Sequence, residues 1–207
     1  MTISVTGRSM FRGAGGLALL STAMLIGAGD PAAANPPGPP NPNVAPGPTK
    51  VKACGEITEP GSYVLVDNLS AQSPQPCIVI SARYVTLDLA GFAIIGVGDR
   101  VPGFTGIFVQ PLLGFEGISV RDGTVHNFYD GISLEGAAGS SVENVKVVFN
   151  LNNGISLHTG MAKNNVIWAN GVGVRCTGSL VIQNVFSFGN GTNIVNVGGC
   201  TTIDNAF

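Results

Sequence analysis

Three residues of complementary chemistry stand at fixed offsets from a recurring Gly-Ile or Gly-Val pair. Glu135 follows Gly131-Ile132, His158 follows Gly154-Ile155, and Arg175 follows Gly173-Val174. An acid, an imidazole and a guanidinium held together could bind a sugar acid and move a proton. The residue after each pair defines one column: Phe108, Ser133, Ser156, Arg175, Val195. Two positions further lie Gln110, Glu135, His158 and Thr177. If the pairs mark strands stacked at the ~4.8 Å spacing of hydrogen-bonded chains, alternation puts both columns on one outer face. Glu135, His158 and Arg175 are then the candidate catalytic residues. A solvated sheet face with ordinary charge pairing explains them equally well, and is the preferred reading.

Other polar groups have weaker claims. A second outward column reads Arg121, Glu143, Asn164, Gln183, Asp204, in which Arg121 and Glu143 form a cross-strand pair. The neighbouring inward column runs Val120, Val142, Lys163, Ile182. A lysine there marks a slipped alignment or a bulge, and no catalytic role is read into it. Asp122, His126 and Asp130 form a third group. Asp130 precedes a glycine, as Asn153 does one repeat later, which suits a turn, and His126 suits a strand end. Asp88, Asp122 and Asp130 fall in different registers, so they do not assemble the paired carboxylates that glycoside hydrolysis needs. The longest insertion, Gly96 to Phe115, holds Asp99, Arg100, Phe104 and Phe108. It reads as a loosely packed connection, with the wall of a groove as the alternative. Ser/His/Asp acyl-transfer machinery, a phosphate-cradling glycine loop and metal-ligand spacing are absent from the sequence, so no cofactor and no metal are expected.

The elements that must position these groups show in the repeats. The Gly-Ile register recurs at Gly106-Ile107, Gly131-Ile132, Gly154-Ile155, Gly173-Val174 and, as Asn193-Ile194, once more. A second register of amides or acids runs Asp122, Asn144, Asn165, Asn184, Asn205. Both registers have a period of about 21 residues. Between them lie short runs of Ile, Val, Thr and Phe alternating with polar residues. Helical spacing never persists, because glycine interrupts it. Glycine supplies 30 of the 207 residues. The predicted fold is all-β: a single-stranded, right-handed parallel β-helix of roughly six or seven coils over residues 52–207. The five amides and acids of the second register are expected to form a hydrogen-bonded ladder along one bend.

Four cysteines, Cys54, Cys77, Cys176 and Cys200, permit three pairings. The separations within Cys54–Cys77 and Cys176–Cys200 each match one coil and a little more. That pairing would staple neighbouring coils near each end, and is preferred to a metal site, since no C-x-x-C pair exists.

The runs Ile57-Thr58-Glu59-Pro60-Gly61-Ser62-Tyr63-Val64-Leu65, Val85 to Phe92 (VTLDLAGF) and Val120-Arg121-Asp122-Gly123-Thr124-Val125 resemble secreted bacterial right-handed parallel β-helix repeat proteins of the pectin-lyase-like superfamily. The resemblance covers about residues 54–205. Ala90 and Asp122 stand where that pattern carries Asn. The superfamily includes pectate lyases, polygalacturonases and alginate epimerases, and also proteins without assigned activity. Its calcium-dependent lyases gather several acids around the ion, and this chain offers no such gathering.

The amino-terminal 34 residues read as a secretory signal. Arg8 and Arg12 make a basic start, Gly13 to Gly29 is uncharged and leucine-bearing, and Ala32-Ala33-Ala34 precedes a cut before Asn35. The apolar run is short for a membrane span of about 20 residues, and the arginines are not adjacent as a twin-arginine signal requires. After cleavage no membrane span is expected. Residues 35–51 read as a proline-rich spacer. With 11% charged residues and a net charge of −2, the chain lacks the basic face of a nucleic-acid binder. The expected protein is a secreted or periplasmic β-helix module, non-catalytic, at a surface or interacting with carbohydrate such as an acidic polysaccharide. A lyase, hydrolase or epimerase acting on uronate-containing polymers is one alternative. A structural solenoid self-associating through its C-terminal coil is the other.

Overall fold

A computed structural model describes residues 47–72, 74–98, 100–110 and 114–207. The expected signal segment, the spacer as far as residue 46, and Asp99 lie outside the described residues. Among the described residues the first strand is Thr49–Val51, which pairs with Gly61–Leu65. Residues 49–51, expected in the spacer, are therefore part of the sheet, because Thr49 to Val51 find backbone partners on the next turn.

Every strand pairing among the described residues is parallel. One sheet takes a strand from each of seven turns: Gly55–Ile57, Ile78–Ile80, Thr105–Val109, Asp130–Leu134, Asn153–His158, Val172–Thr177 and Thr192–Gly198. A second, larger sheet wraps a corner. Its spine runs from Thr49–Val51 and Gly61–Leu65 through Val85–Asp88, Ser119–His126, Ser141–Val148, Met161–Lys163 and Leu180–Ile182 to Thr201–Ile203. Past the corner, Ala93–Ile95 and Val166–Trp168 pair with the far halves of the two long strands. The described residues contain no helix. The fold is the anticipated parallel β-solenoid, with about seven turns.

Inward residues stack in register. Ile107, Ile132, Ile155, Val174 and Ile194 form one column. Ile94, Val125, Val147, Ile167 and Phe186 form another. No single turn can bury these side chains; each column is sealed only by the turns on either side. Glycine makes the close stacking possible. A Cβ on Gly131 would lie 2.5 Å from the Gly154 carbonyl oxygen, and one on Gly154 would lie 2.7 Å from that of Gly173. The recurrence of glycine before each of these Ile or Val residues thus reflects backbone-to-backbone approach.

The insertion from Gly96 to Phe115 is not a loose connection from Phe104 to Val109, whereas the described residues before that stretch, 97–103, are exposed and outside any strand. Thr105–Val109 is a core strand, Phe104 is fully buried, and Phe115 is buried too. The Phe104 ring packs on Phe128 with centroids 4.9 Å apart.

The corners carry two amide ladders. In the first, Asn165 Nδ2 donates to Asn184 Oδ1 at 2.9 Å, and Asn184 Nδ2 donates to Asn205 Oδ1 at 3.1 Å. Each side chain also donates to the backbone of the preceding turn, at Val142, Ala162 and Val181. Asp122 and Asn144 are not rungs of this ladder. The rung position above Asn165 is Val145, whose N–H donates to Asn165 Oδ1 at 2.9 Å. Asp122 and Asn144 stand one residue earlier, in a column of left-handed backbone with Ala90, Asn164, Gln183 and Asp204, where φ runs from 50° to 59°. Asp and Asn tolerate that conformation better than most residues. Ala90 is helped into it by Asp88 Oδ1, which accepts its N–H at 2.8 Å. Ala90 and Asp122 therefore fall on the bend itself. The slip also explains Lys163. It pairs in register with Glu143 on the outer side, while Ala162 takes the inward place beside Val142 and Val181.

The second ladder, Asn150–Asn170–Asn190, lies at the next corner and was not anticipated. Asn150 Nδ2 donates to Asn170 Oδ1 at 2.9 Å, and Asn170 Nδ2 to Asn190 Oδ1 at 3.1 Å. Its 20-residue steps were a readable signal. At its upper end the rung position is Phe128, whose N–H donates to Asn150 Oδ1.

Candidate functional site

The outer face of the seven-stranded sheet places Ser133, Ser156 and Arg175 in one column, as expected. Arg175 reaches past the intervening turn and forms an ion pair with Glu135. Ser156, on that intervening turn, is buried. His158 is exposed and pairs in register with Thr177. Glu135 and Arg175 are thus brought into contact, and His158 takes no part in their ion pair.

The other candidates disperse. Arg121 stands beside Glu143 in register, but its guanidinium turns the other way, to Asp88 at 2.7 Å and Asp122 at 3.3 Å. Half-exposed pairs of this kind contribute at most about 1 kcal/mol. Asp122, His126 and Asp130 are spread along one turn. Asp122 is at the corner, His126 ends the strand Ser119–His126, and Asp130 opens the strand Asp130–Leu134. Asp130 Oδ1 accepts from Asn153 N, Asn153 Nδ2 and Asn152 Nδ2 at 2.9–3.0 Å, so it ties two turns together.

Most carboxylates have comparable duties. Glu56 accepts from the Ser81 hydroxyl, and Asp67 from the Asn68 N–H. Glu116 accepts from the Tyr84 hydroxyl and lies 3.8 Å from Arg83. That hydrogen bond, with the repulsion a phenolate would feel, holds Tyr84 above the usual tyrosine range. Among the described residues no three His, Cys, Asp or Glu side chains gather as metal ligands would.

A different surface has the features of a binding site. The outward residues beyond the first corner form the column Thr124, Lys146, Val166. With Gly91, Asn144 and Asn164 they line an open groove of about 360 Å³. Asn144, Lys146 and Asn164 are exposed. Two residues further along the same strands lie His126, Val148 and Trp168, again in register. Phe149, held in left-handed backbone at φ 56°, sets its ring edge-on to Trp168 with centroids 4.5 Å apart. Val148 is buried on this outer side, apart from the main core. The groove thus presents two amides and an ammonium, and the Phe149–Trp168 pair lies beyond its lining, farther along the same strands. Such a surface can stack the apolar face of a ring and hydrogen-bond its polar rim.

A larger concavity of about 490 Å³ follows the Ser140–Gly160–Ser179 corner. Its serines are already occupied, since Ser140 Oγ accepts from Ile118 N and Ser179 Oγ accepts from Gly160 N. It offers no charged or aromatic side chain. The groove of Asn144, Lys146 and Asn164 is therefore the better candidate, and sequence reasoning missed it. Phe149 and Trp168 belong to different turns, and nothing local marks them as outward neighbours.

The structure pairs Cys54 with Cys77 and Cys176 with Cys200, with Cα–Cα distances of 4.5 and 6.2 Å. Two such pairs are consistent with an oxidising compartment. No helix of the described residues is long and apolar enough to cross a membrane. No protein-family model, no curated protein and no solved structure matches this chain.

Proposed function

We propose that this chain is an exported, non-catalytic β-solenoid, right-handed and akin to the pectin-lyase-like superfamily, that holds a glycan on its outer face. Parallel crossovers are right-handed in nearly all proteins, which supports the handedness. The two disulfide pairs support export to the periplasm or beyond. The employment of Asp88, Asp122, Asp130, Glu116 and Glu135 in ion pairs and turn-to-turn hydrogen bonds supports a scaffold over an enzyme. The observation that carries the binding role is the groove of Asn144, Lys146 and Asn164 beside the Phe149–Trp168 pair. Its single ammonium suits an acidic polysaccharide.

Trp168 is the chain's only tryptophan, so its fluorescence reports this face directly. Titration with oligouronates should shift or quench the emission, and Lys146→Gln should weaken binding about tenfold, or ~1.4 kcal/mol. Phe149→Ala should weaken it comparably. An emission unchanged by every acidic and neutral glycan tried would remove the binding role. The Glu135–Arg175 pair, one turn from His158, favours a second reading, a lyase or epimerase. Unsaturated product formed from pectate or alginate and lost in His158→Ala would establish that reading in place of the first.

A further inference from the structure

His126 is a titratable side chain that none of the ion pairs above employs. It ends the strand Ser119–His126 on the outer side, two residues past Thr124 of the groove lining. Its neighbours in register are Ile95 on one turn and Val148 on the other, both apolar. Thr124 stands opposite Lys146, so His126 and Lys146 are diagonal neighbours, about 7–8 Å apart on such a lattice. Beyond Val148 the same row continues to Trp168. The half-buried imidazole thus adjoins Thr124 and Lys146 of the groove and shares its row with the aromatic ring.

The charges near His126 are few. The strands packed on Ser119–His126 are Val85–Asp88, Ala93–Ile95, Asp130–Leu134 and Ser141–Val148. Ala93–Ile95 carries no titratable group. Asp88 and Glu143 stand in register with Arg121 on the far side of the corner, and Asp88 is paired with it. Asp122, at the corner itself, also pairs with Arg121. Asp130 is held by Asn152 and Asn153. Among the described residues no carboxylate pairs with His126. Lys146 is the charged group that shares its outer surface beyond the corner.

We infer that an acidic glycan seated at Lys146 sets a further carboxylate on His126, so that the site strengthens in acid. This rests on the glycan-binding reading above and adds its regulation. An imidazole becomes positive as pH falls through about 6.5, whereas carboxylates stay ionised down to about 4 and an ammonium keeps its charge throughout. Above that interval the site offers one cation, and within it two. Two neighbouring cations with no carboxylate between them repel each other, and the ligand's carboxylates relieve that repulsion. Occupancy therefore favours the charged imidazole, and by linkage binding takes up a proton. A polymer bearing an acid on each ring can meet both cations at once.

The test is isothermal titration calorimetry of the intact protein with an oligouronate at about pH 8 and about pH 5.5, in buffers of differing ionisation heat. The dissociation constant should fall about fivefold between them, the upper end for a half-exposed charge pair, with net proton uptake midway. His126→Gln should keep the parent's higher-pH affinity at both values and take up no proton, with circular dichroism and melting those of the parent. His158→Gln removes the chain's other histidine, which lies on the seven-stranded sheet, and should behave as the parent does. An affinity equal at both pH values without proton uptake, or a pH effect that survives in His126→Gln, would overturn the inference and leave the glycan reading standing. An oligouronate that failed to bind at either pH would overturn both together.

Discussion

An asparagine in this protein can do one of two jobs, and a single position decides which. Asn165 is fully buried, donates to Val142 O and Asn184 Oδ1, and accepts from Val145 N. Asn144 is exposed and meets only Asp122 at 3.3 Å. Asn165→Ala leaves the buried Val145 N–H without its acceptor and removes the donations to Val142 O and Asn184 Oδ1, at a cost of about 1–3 kcal/mol for the stranded N–H before relaxation. Asn144→Gly relieves a strained φ and should be neutral within about 1 kcal/mol. Chemical denaturation midpoints of the two variants should separate clearly. Equal losses would mean that the turn-to-turn register given by Val145 and Asn165 is wrong.

At the scale of the element, a strand of three to eight residues has little stability alone and takes it from its neighbours. Interior strands of the seven-stranded sheet have two. Thr192–Gly198 and Thr201–Ile203 have one, and Cys176–Cys200 joins their turn to the previous one. The chain-entropy contribution of closing a loop of 24 residues is roughly 3 kcal/mol. Replacing both of these cysteines by serine should make the chain after Ser179 susceptible to limited proteolysis while the turns before it stay resistant. The same replacement at Cys54 and Cys77 should expose the opposite end instead. Cleavage patterns that did not follow the position of the missing bridge would refute this division of labour. The corners are elements too. Ser119–His126 and Ser141–Val148 pass the bend unbroken at Asp122 and Asn144, whereas at Asn164 and Gln183 the same bend splits the strand in two.

For the described turns, stability should follow a one-dimensional pattern, because each turn packs on the turns beside it and only the exposed Arg175–Glu135 ion pair spans two. Backbone amides of Val142, Val147 and Ile155 lie on interior turns with covered columns on both sides. They should exchange only through global opening, while amides of Thr192–Gly198 exchange through local fraying. A hydrogen-exchange profile that was uniform from Val142 to Ile203 would instead indicate a single cooperative unit.

Much of this was legible in the chain of letters. The Gly-Ile pairs gave the period, and the period gave parallel turns, the outward column of Ser133, Ser156 and Arg175, and a cysteine pairing that the structure reproduces. These features depend on strand alternation and repeat length, which are local. What the sequence left open was the offset between turns. Asn164 and Asn165 are adjacent amides, so a step from Asn144 could end on either. Inter-turn hydrogen bonds chose Asn164 for the bend and Asn165 for the ladder, and moved Lys163 to the outer face with them.

The second ladder, the burial of Phe104 against Phe128, the reach of Arg175 across a whole turn to Glu135, and the meeting of Phe149 with Trp168 were decided at the tertiary level. By itself the sequence determined a stacked parallel β architecture and its stapled ends. The tertiary structure decided which side chains face one another, because a contact between turns some twenty residues apart depends on a register that only the stacked backbone sets.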